Sequence, residues 1–147
     1  MNIEVIDFGY ECLPKRAHAN DAGADVHVCF NSTQFIDVAP HETVKIPLGM
    51  GLVLPDGYMA CVYPRSGLSS KGIVCEIPPI DSGYRGEIHA IVHNGSNSTY
   101  RIFNGDRIGQ LVVTPIVIAN FVKENKAEER GTGAFGSTGR WWHVKKN

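Results

Sequence analysis

The sequence has no apolar run approaching the ~20 residues that a membrane-spanning helix needs, which argues against a membrane protein. It also has no excess of positive charge, because 14 lysines and arginines face 15 aspartates and glutamates. No basic stripe with interleaved aromatic residues is present, so a nucleic-acid polymer is a poor candidate partner. The first residues, MNIEVIDFGYECLPKR, are charged and unlike a secretion signal. We therefore expect a soluble, cytoplasmic protein.

The usual sequence patterns of metal and redox sites are also missing. The six histidines show no HxH or HExxH spacing, which argues against zinc. The four cysteines, Cys12, Cys29, Cys61 and Cys75, lie far apart and form no CxxC pair. We interpret them as reduced thiols of the core or surface, and we do not expect a disulfide or a metal role for them.

Strand-like patterns recur at short intervals along the chain and are separated by turn sequences such as LPDG and FNGD. The predicted strands span residues 3–8, 25–30, 34–39, 43–54, 58–63, 86–94, 99–103 and 108–122. Only GLSSKGIV, residues 67–74, is a candidate for a short helix. The pattern predicts one all-β domain, either a sandwich, a barrel or a jelly roll, in a chain long enough to bury a core.

The C-terminal stretch RGTGAFGSTGR, residues 130–140, contains four glycines and does not favour regular structure. Its composition alone favours a disordered tail. The alternative is a flap whose amides, hydroxyls and arginines close on phosphate. We expect a β-barrel domain over residues 1–125 and a flexible arm over residues 126–147 that closes over a site.

Five stretches occur in an order and spacing that resemble the five motifs of the trimeric dUTP pyrophosphatase family. They are DAGAD (21–25), PRSGLSSKG (64–72), IDSGYRGE (80–87), NGDRIGQL (104–111) and RGTGAFGSTG (130–139). Each motif is moderately specific, and their joint occurrence in this order is a strong signal. The resemblance implies a jelly-roll-like homotrimer with shared active sites. It also implies Mg²⁺-dependent hydrolysis of dUTP to dUMP and pyrophosphate, which keeps uracil out of DNA.

The IDSGYRGE turn carries the candidate catalytic residue, Asp81. It follows the apolar Pro79 and Ile80, so we expect partial desolvation to favour proton acceptance, with Arg85 opposing it. Taken alone, a turn-capping aspartate is the more common role. The resemblance implies that Asp81 activates the attacking water for in-line attack on the α-phosphorus, and that Pro79 and Ile80 belong to the substrate site. It implies that Tyr84 lies under the deoxyribose and excludes a 2′-hydroxyl; a half-buried tyrosine at a strand end is the alternative.

The phosphate-binding candidates are Arg65, Ser66 and Gln110, with Gly67 allowing close approach of the backbone. Arg65 has a serious alternative role as the ion-pair partner of a carboxylate. Gln110 requires a partner if it points inward, and otherwise it is a surface amide. The resemblance places Ser66 near the α,β-bridging oxygen and Gln110 on the phosphates. It assigns to Asp25 a water of the bound Mg²⁺, where a turn residue is the alternative.

In the arm, the resemblance implies that Phe135 stacks on uracil and that Gly136 gives the backbone its freedom. The positions that grip the β and γ phosphates are Arg130, Ser137 and Thr138. We interpret Asp106 and Arg107 as a turn acid and a structural ion-pair partner, and we leave both out of the site.

The chain departs from the family in the hairpin before Asp81, where many relatives have a glycine and this chain has Pro78 followed by Pro79. Proline has no amide to donate, so the reading of uracil is less well defined than the phosphate chemistry. The related dCTP deaminases need a glutamate where this chain has Ile91, which argues against deamination. A non-catalytic nucleotide-binding or regulatory protein on the same fold is the second alternative.

Overall fold

The computed structural model describes residues 1–9, 11–76 and 78–124, and this part of the chain consists of ten short strands and one helical turn. The strands are β1 (Glu4–Asp7), β2 (Ala24–His27), β3 (Phe35–Val38), β4 (Thr43–Pro47), β5 (Met50–Val53), β6 (Tyr58–Tyr63), β7 (Ile73–Cys75), β8 (His89–Asn94), β9 (Tyr100–Phe103) and β10 (Arg107–Pro115). The turn, α1 (Ser66–Ser69), lies between β6 and β7. Within the described ranges, no helix has the length and apolar character that crossing a bilayer requires.

The strands form four small antiparallel sheets with the orders β1-β5, β2-β10-β6, β3-β9 and β4-β8-β7. Alternation decides which side chains enter the core, and in β8 half-buried and buried residues alternate along the whole strand. The sheets surround one apolar cluster whose most deeply buried members are Val26, Val28, Val38, Ile46, Leu48, Met50, Ala60, Ala90, Val92 and Ile102. The all-β, jelly-roll-like prediction is confirmed.

Several element boundaries differ from the sequence prediction, and three of the differences change an element as a whole. The run predicted as one strand over 43–54 is two strands, because Gly49 has a φ of 69°, which a continuous strand does not accommodate. The last strand ends at Pro115, and the exposed residues 116–122 extend beyond the sheet. The candidate helical stretch after Ser66 holds only α1, and its end instead forms β7, which pairs with β8.

The prediction that all four cysteines are reduced is wrong. Cys12 and Cys29 form a disulfide, while Cys61 and Cys75 are free and buried, as expected for core thiols. The cause is tertiary: Lys15 pairs with Asp25, which brings the chain before Lys15 alongside β2. The 17-residue separation of the two cysteines gives no local indication of this pairing.

Candidate active site

The turn that carries Asp81 is held against the barrel by main-chain hydrogen bonds. Ile80 exchanges two of them with Ala60 of β6, at 2.7 and 3.1 Å, and so fixes the residue before Asp81. The Tyr84 amide then donates to the Asp81 carbonyl at 3.1 Å, which closes a β-turn over Ser82 and Gly83. Sequence order therefore places the Asp81 carboxylate and the Tyr84 ring at the two ends of one rigid turn.

The Asp81 carboxylate is not used in building this turn. Within residues 1–9, 11–76 and 78–124, it has no hydrogen-bond donor and no ion-pair partner, so the turn-capping alternative is not supported. The guanidinium of Arg85 donates instead to the Ser82 and Tyr84 carbonyls, at 2.6 and 3.2 Å. Asp81 is exposed, so the described residues of a single chain do not supply the predicted desolvation.

A cavity of about 320 Å³ opens beside this turn, a size suited to a nucleoside. Its walls combine apolar side chains with a few polar ones, and they are Lys45, Pro78, Pro79, Ile80, Asp81, Tyr84, Glu87, Ile88, His89 and Ile91. We call this the nucleoside cavity. Lys45 and Ile91 face each other across β4 and β8, and His89 begins β8, so the wall opposite Asp81 belongs to the β4-β8-β7 sheet.

Tyr84 lies at the mouth of the nucleoside cavity and is 46% exposed, so it is not the half-buried tyrosine of the alternative interpretation. Its hydroxyl donates to the Glu87 carbonyl at 2.9 Å. The Glu87 carboxylate in turn accepts the Gly49 amide at 3.0 Å. One face of the ring is thereby held against the chain that follows it.

Asp25 is the centre of a second polar group. It is 8% exposed, its Oδ1 lies 3.6 Å from Arg65 Nε, and its Oδ2 lies 3.3 Å from Arg107 Nη1. The amide of Gln110 donates to Oδ1 at 3.4 Å, so Gln110 points inward and has the partner that burial requires. A Cβ on Gly23 would lie 2.8 Å from the Gln110 Cβ, so the glycine of DAGAD makes room for this amide.

Beside this group lies a cavity of about 340 Å³ with mainly cationic and polar walls. Its lining residues are Arg65, Gly67, Leu68, Lys71, Tyr100, Asp106, Arg107 and Ile108. We call it the phosphate cavity. Burial raises the pKa of the Tyr100 hydroxyl, the Asp106 charge adds to this, and Arg65 opposes it. Ser66 is exposed at the start of α1, and a Cβ on Gly67 would meet nothing within 4 Å.

The two cavities have no lining residue in common. Ile80 pairs with Ala60, whereas Arg65 lies five residues further along the chain, on the order of 15 Å away in extended structure. A single chain therefore brings Arg65, Arg107, Gln110 and Asp25 together but keeps them apart from Asp81 and Tyr84. The resemblance of the five motifs predicts that all of these residues serve one substrate.

Arg107 and Asp106 have the predicted structural roles, but both also line the phosphate cavity, so leaving them out of the site was wrong. Arg107 is an ion-pair partner of Asp25, and the Asp106 carboxylate accepts the Phe103 amide at 2.9 Å in a turn. The residues predicted in the arm lie outside the described residues, and these are Arg130, Phe135, Gly136, Ser137 and Thr138.

Sequence reasoning missed several wall residues of the two cavities. Lys45 and His89 enter the nucleoside cavity through the pairing of β4 with β8, which the local sequence does not reveal. Lys71 lies within PRSGLSSKG, and this motif was the one available signal for it. Tyr100 reaches the phosphate cavity from the start of β9.

The fold and the two cavities define a class of protein, an all-β protein with a nucleoside-sized cavity and a separate cationic cavity. A family model described as dUTPase matches residues 10–139, which is most of the chain. The chain belongs to the dUTPase family, as the five motifs predicted.

Relatives and solved structures agree with this assignment. The deoxyuridine 5'-triphosphate nucleotidohydrolase of Gloeobacter violaceus is 43% identical over 132 residues, which are 86% of this chain and 88% of the relative. That of Leifsonia xyli is 44% identical over 133 residues, covering 86% and 85%. The dUTPase of Staphylococcus bacteriophage 80alpha with dUPNHPP has 27% identity and a TM-score of 0.83, covering 95% of this chain and 99% of that one.

Enzymes of this family generally use a divalent metal ion. A variant of the phage phi11 dUTPase, 25% identical with a TM-score of 0.78 and covering 88% of this chain and all of that one, was solved to show how a structural Mg(II) ion is coordinated. In the described part of this chain, no three His, Cys, Asp or Glu side chains are grouped to hold a metal by themselves. Asp25 can supply one carboxylate. Mg²⁺ needs no more when water and substrate phosphates complete its octahedron.

Proposed function

We propose that this chain hydrolyses dUTP to dUMP and pyrophosphate, with Asp81 as the base that activates the attacking water. The observation that carries the proposal is the Asp81 carboxylate, which has no partner among the described residues and lines a nucleoside-sized cavity together with Tyr84. A carboxylate without a donor is free to accept a proton from water. The alternative of a non-catalytic nucleotide-binding protein is not favoured, because its site would not need this group.

Uracil is read by the main chain of His89, and the register of β8 supports this step. The Leu48 amide donates to the Ile88 carbonyl at 3.0 Å, so the amide and carbonyl of His89 point away from β4. On the other side, Glu76 donates to Ile91 at 2.8 Å, and in the same register Pro78 falls opposite His89. Proline has no N–H, so this residue leaves the His89 carbonyl open toward the cavity.

The amide and the carbonyl of His89 match the O4 and N3–H of uracil. Cytosine presents a donor and an acceptor in the opposite places, so it would leave both main-chain groups without a partner. A mismatch of this kind discriminates strongly, because unpaired polar groups in a closed site are costly. Pro78, which weakens the resemblance to relatives with glycine there, is in this account compatible with uracil recognition.

The triphosphate binds in the phosphate cavity, where Arg65 and Ser66 donate to its oxygens and Gln110 reaches them from β10. Arg65 then contacts both the phosphates and Asp25. Its Nε lies 3.6 Å from Asp25 Oδ1, which is longer than a tight charge-assisted hydrogen bond. Asp25 would hold a bound Mg²⁺ through one of its waters. When bound, the ion neutralises charge on the phosphate oxygens, which favours attack by an anionic nucleophile and departure of pyrophosphate.

The active site is completed between subunits of a homotrimer. The nucleoside and phosphate cavities are separate in one chain, yet one dUTP must contact both. In a cyclic trimer the nucleoside cavity of one subunit can face the phosphate cavity of the next. The arm, with Phe135 on uracil and Arg130, Ser137 and Thr138 on the phosphates, closes this site.

The test is pyrophosphate release from dUTP by the purified chain and by Asp81→Asn. The substitution keeps the size of the side chain and removes the base, so kcat should fall roughly 10² to 10⁴-fold while nucleotide binding is largely kept. Asp56→Asn is the matched control, since Asp56 is an exposed turn aspartate outside both cavities. UTP and dCTP should be poor substrates, and addition of EDTA should lower the rate.

Near-normal kcat in Asp81→Asn would refute the assignment of the base. Equal rates with dCTP and dUTP would refute the reading of uracil by His89. Absence of pyrophosphate release from every nucleotide, in a protein that still binds them, would favour the non-catalytic alternative.

A further inference from the structure

Gly86 lies directly beneath the Tyr84 ring. A Cβ on Gly86 would overlap Tyr84 Oη, and it would lie 2.6 Å from Cζ and 3.0 Å from Cε2. Real Cβ atoms essentially never make contacts closer than 3.0 Å. The φ of Gly86 lies outside the left-handed region, so the backbone conformation does not itself require glycine. Residue 86 must therefore lack a side chain to make room for the Tyr84 ring, and the backbone conformation of the turn does not require it.

The ring is held in this position from two directions. Its hydroxyl donates to the Glu87 carbonyl at 2.9 Å, and His89 Nδ1 lies 3.1 Å from the same oxygen. Gly86 in turn packs closely against Gly51 of β5, because a Cβ built on Gly51 would lie only 2.7 Å from the Gly86 carbonyl oxygen. The backbone at Gly86 thus has little room to retreat from a larger side chain, and the ring would have to move.

We propose that Gly86 is a positioning residue, which allows the Tyr84 ring to lie flat on the main chain at the depth that admits deoxyribose and excludes ribose. This inference rests on the proposed function, in which Tyr84 contacts the sugar. The exposed face of the ring is the wall of the sugar site, and the opposite face rests on Gly86. Any atom added beneath the ring moves that wall into the nucleoside cavity.

Gly86→Ala should therefore weaken dUTP use through the position of the ring. An ordinary contact requires about 3.4 Å or more, so the ring must lift by nearly 1 Å and lose its hydrogen bond to Glu87. We expect kcat/KM for dUTP to fall roughly tenfold, a fold-change typical of a one-methyl misfit in a pocket. Most of the loss should be in KM, because Asp81 is not displaced.

The experiment is a double-mutant cycle with Gly86→Ala, Tyr84→Ala and the pair, measured as kcat/KM for dUTP and UTP. Tyr84→Ala should raise the use of UTP relative to dUTP, because the sugar wall is gone. In that background, Gly86→Ala should change kcat/KM by less than about twofold, since no ring remains to be displaced. Gly83→Ala is the matched control in the same turn, because a Cβ there meets nothing within 4 Å.

Equal losses from Gly86→Ala with and without the Tyr84 ring would overturn the proposal, because the glycine would then act on the backbone. An unaltered kcat/KM in the single variant would also overturn it. Affinity for a non-hydrolysable dUTP analogue provides a readout that does not depend on turnover. If the wild type binds the analogue but releases no pyrophosphate from dUTP, the proposed function of dUTP hydrolysis is refuted. The same cycle in binding affinity then still decides whether Gly86 positions the ring.

Discussion

Mixed trimers of two inactive chains should recover activity, because Asp81 lines the nucleoside cavity whereas Ser66 lies between Arg65 and Gly67, which line the phosphate cavity. Consider chains that carry either Asp81→Asn or Ser66→Ala, co-expressed in equal amounts with different affinity tags. If a site takes its turn from one subunit and its phosphate donors from the next, it works only where an intact Asp81 faces an intact Ser66. With random assembly this holds for about one half times one half of the sites, or about a quarter of wild-type activity.

Selecting mixed trimers with both tags sharpens the prediction. Each mixed cyclic trimer contains a single junction of the productive kind, so about one third of its sites should work. The assay is pyrophosphate release per subunit, with the trimeric mass verified on the same sample. Each variant alone should be nearly inactive, since one lacks the base and the other a phosphate donor.

A chain with both substitutions, mixed with wild type, is the matched control. If sites are shared between subunits, the unselected mixture should again have about a quarter of wild-type activity. If each site is built within one chain, it should have about half. The first mixture separates the two arrangements even more sharply, because sites within one chain would give no recovery at all. Activity no higher than the sum of the separate variants, in trimers shown to be mixed, would refute the shared-site reasoning.

Two further predictions concern groups away from the site. Hydrogen bonds from Arg101 hold the pKa of Asp37 below its usual value of 3.8, so the pair contributes stability above that pH and loses it as the pH falls through the folded-state pKa. Asp37→Asn should therefore lower the Tm slightly at pH 7, and a gap that did not close in strong acid would contradict this. Burial raises the pKa of Cys61, and raises that of Cys75 to about 11, so both thiols should resist alkylation at pH 8 in the folded protein. Unfolding without reductant should expose two reactive thiols and unfolding with reductant four, whereas four without reductant would rule out the disulfide.

Local patterns were sufficient for the fold class, since alternation and turn sequences identify strands wherever one face is buried. They did not place the boundaries that depend on a partner. The break at Gly49 follows from a positive φ, and β7 exists because three residues pair with β8, whose own position is set by β4. Residues 116–122 match a strand pattern, but no strand of the described chain pairs with them beyond Pro115. Apolar alternation shows that a segment can pair, and only the fold supplies the partner.

The candidate site shows the same division. The order and spacing of the five motifs determined the family, and with it the chemistry expected of Asp81, Tyr84 and Ser66. Tertiary structure alone decided that Asp25 pairs with Arg65 and Arg107, because both arginines are far from Asp25 in sequence. It also brought Cys12 to Cys29 and divided the site residues between two cavities. Such contacts arise when β2, β6 and β10 pair in one sheet, and pairing register over many intervening residues is not encoded in any short stretch of sequence.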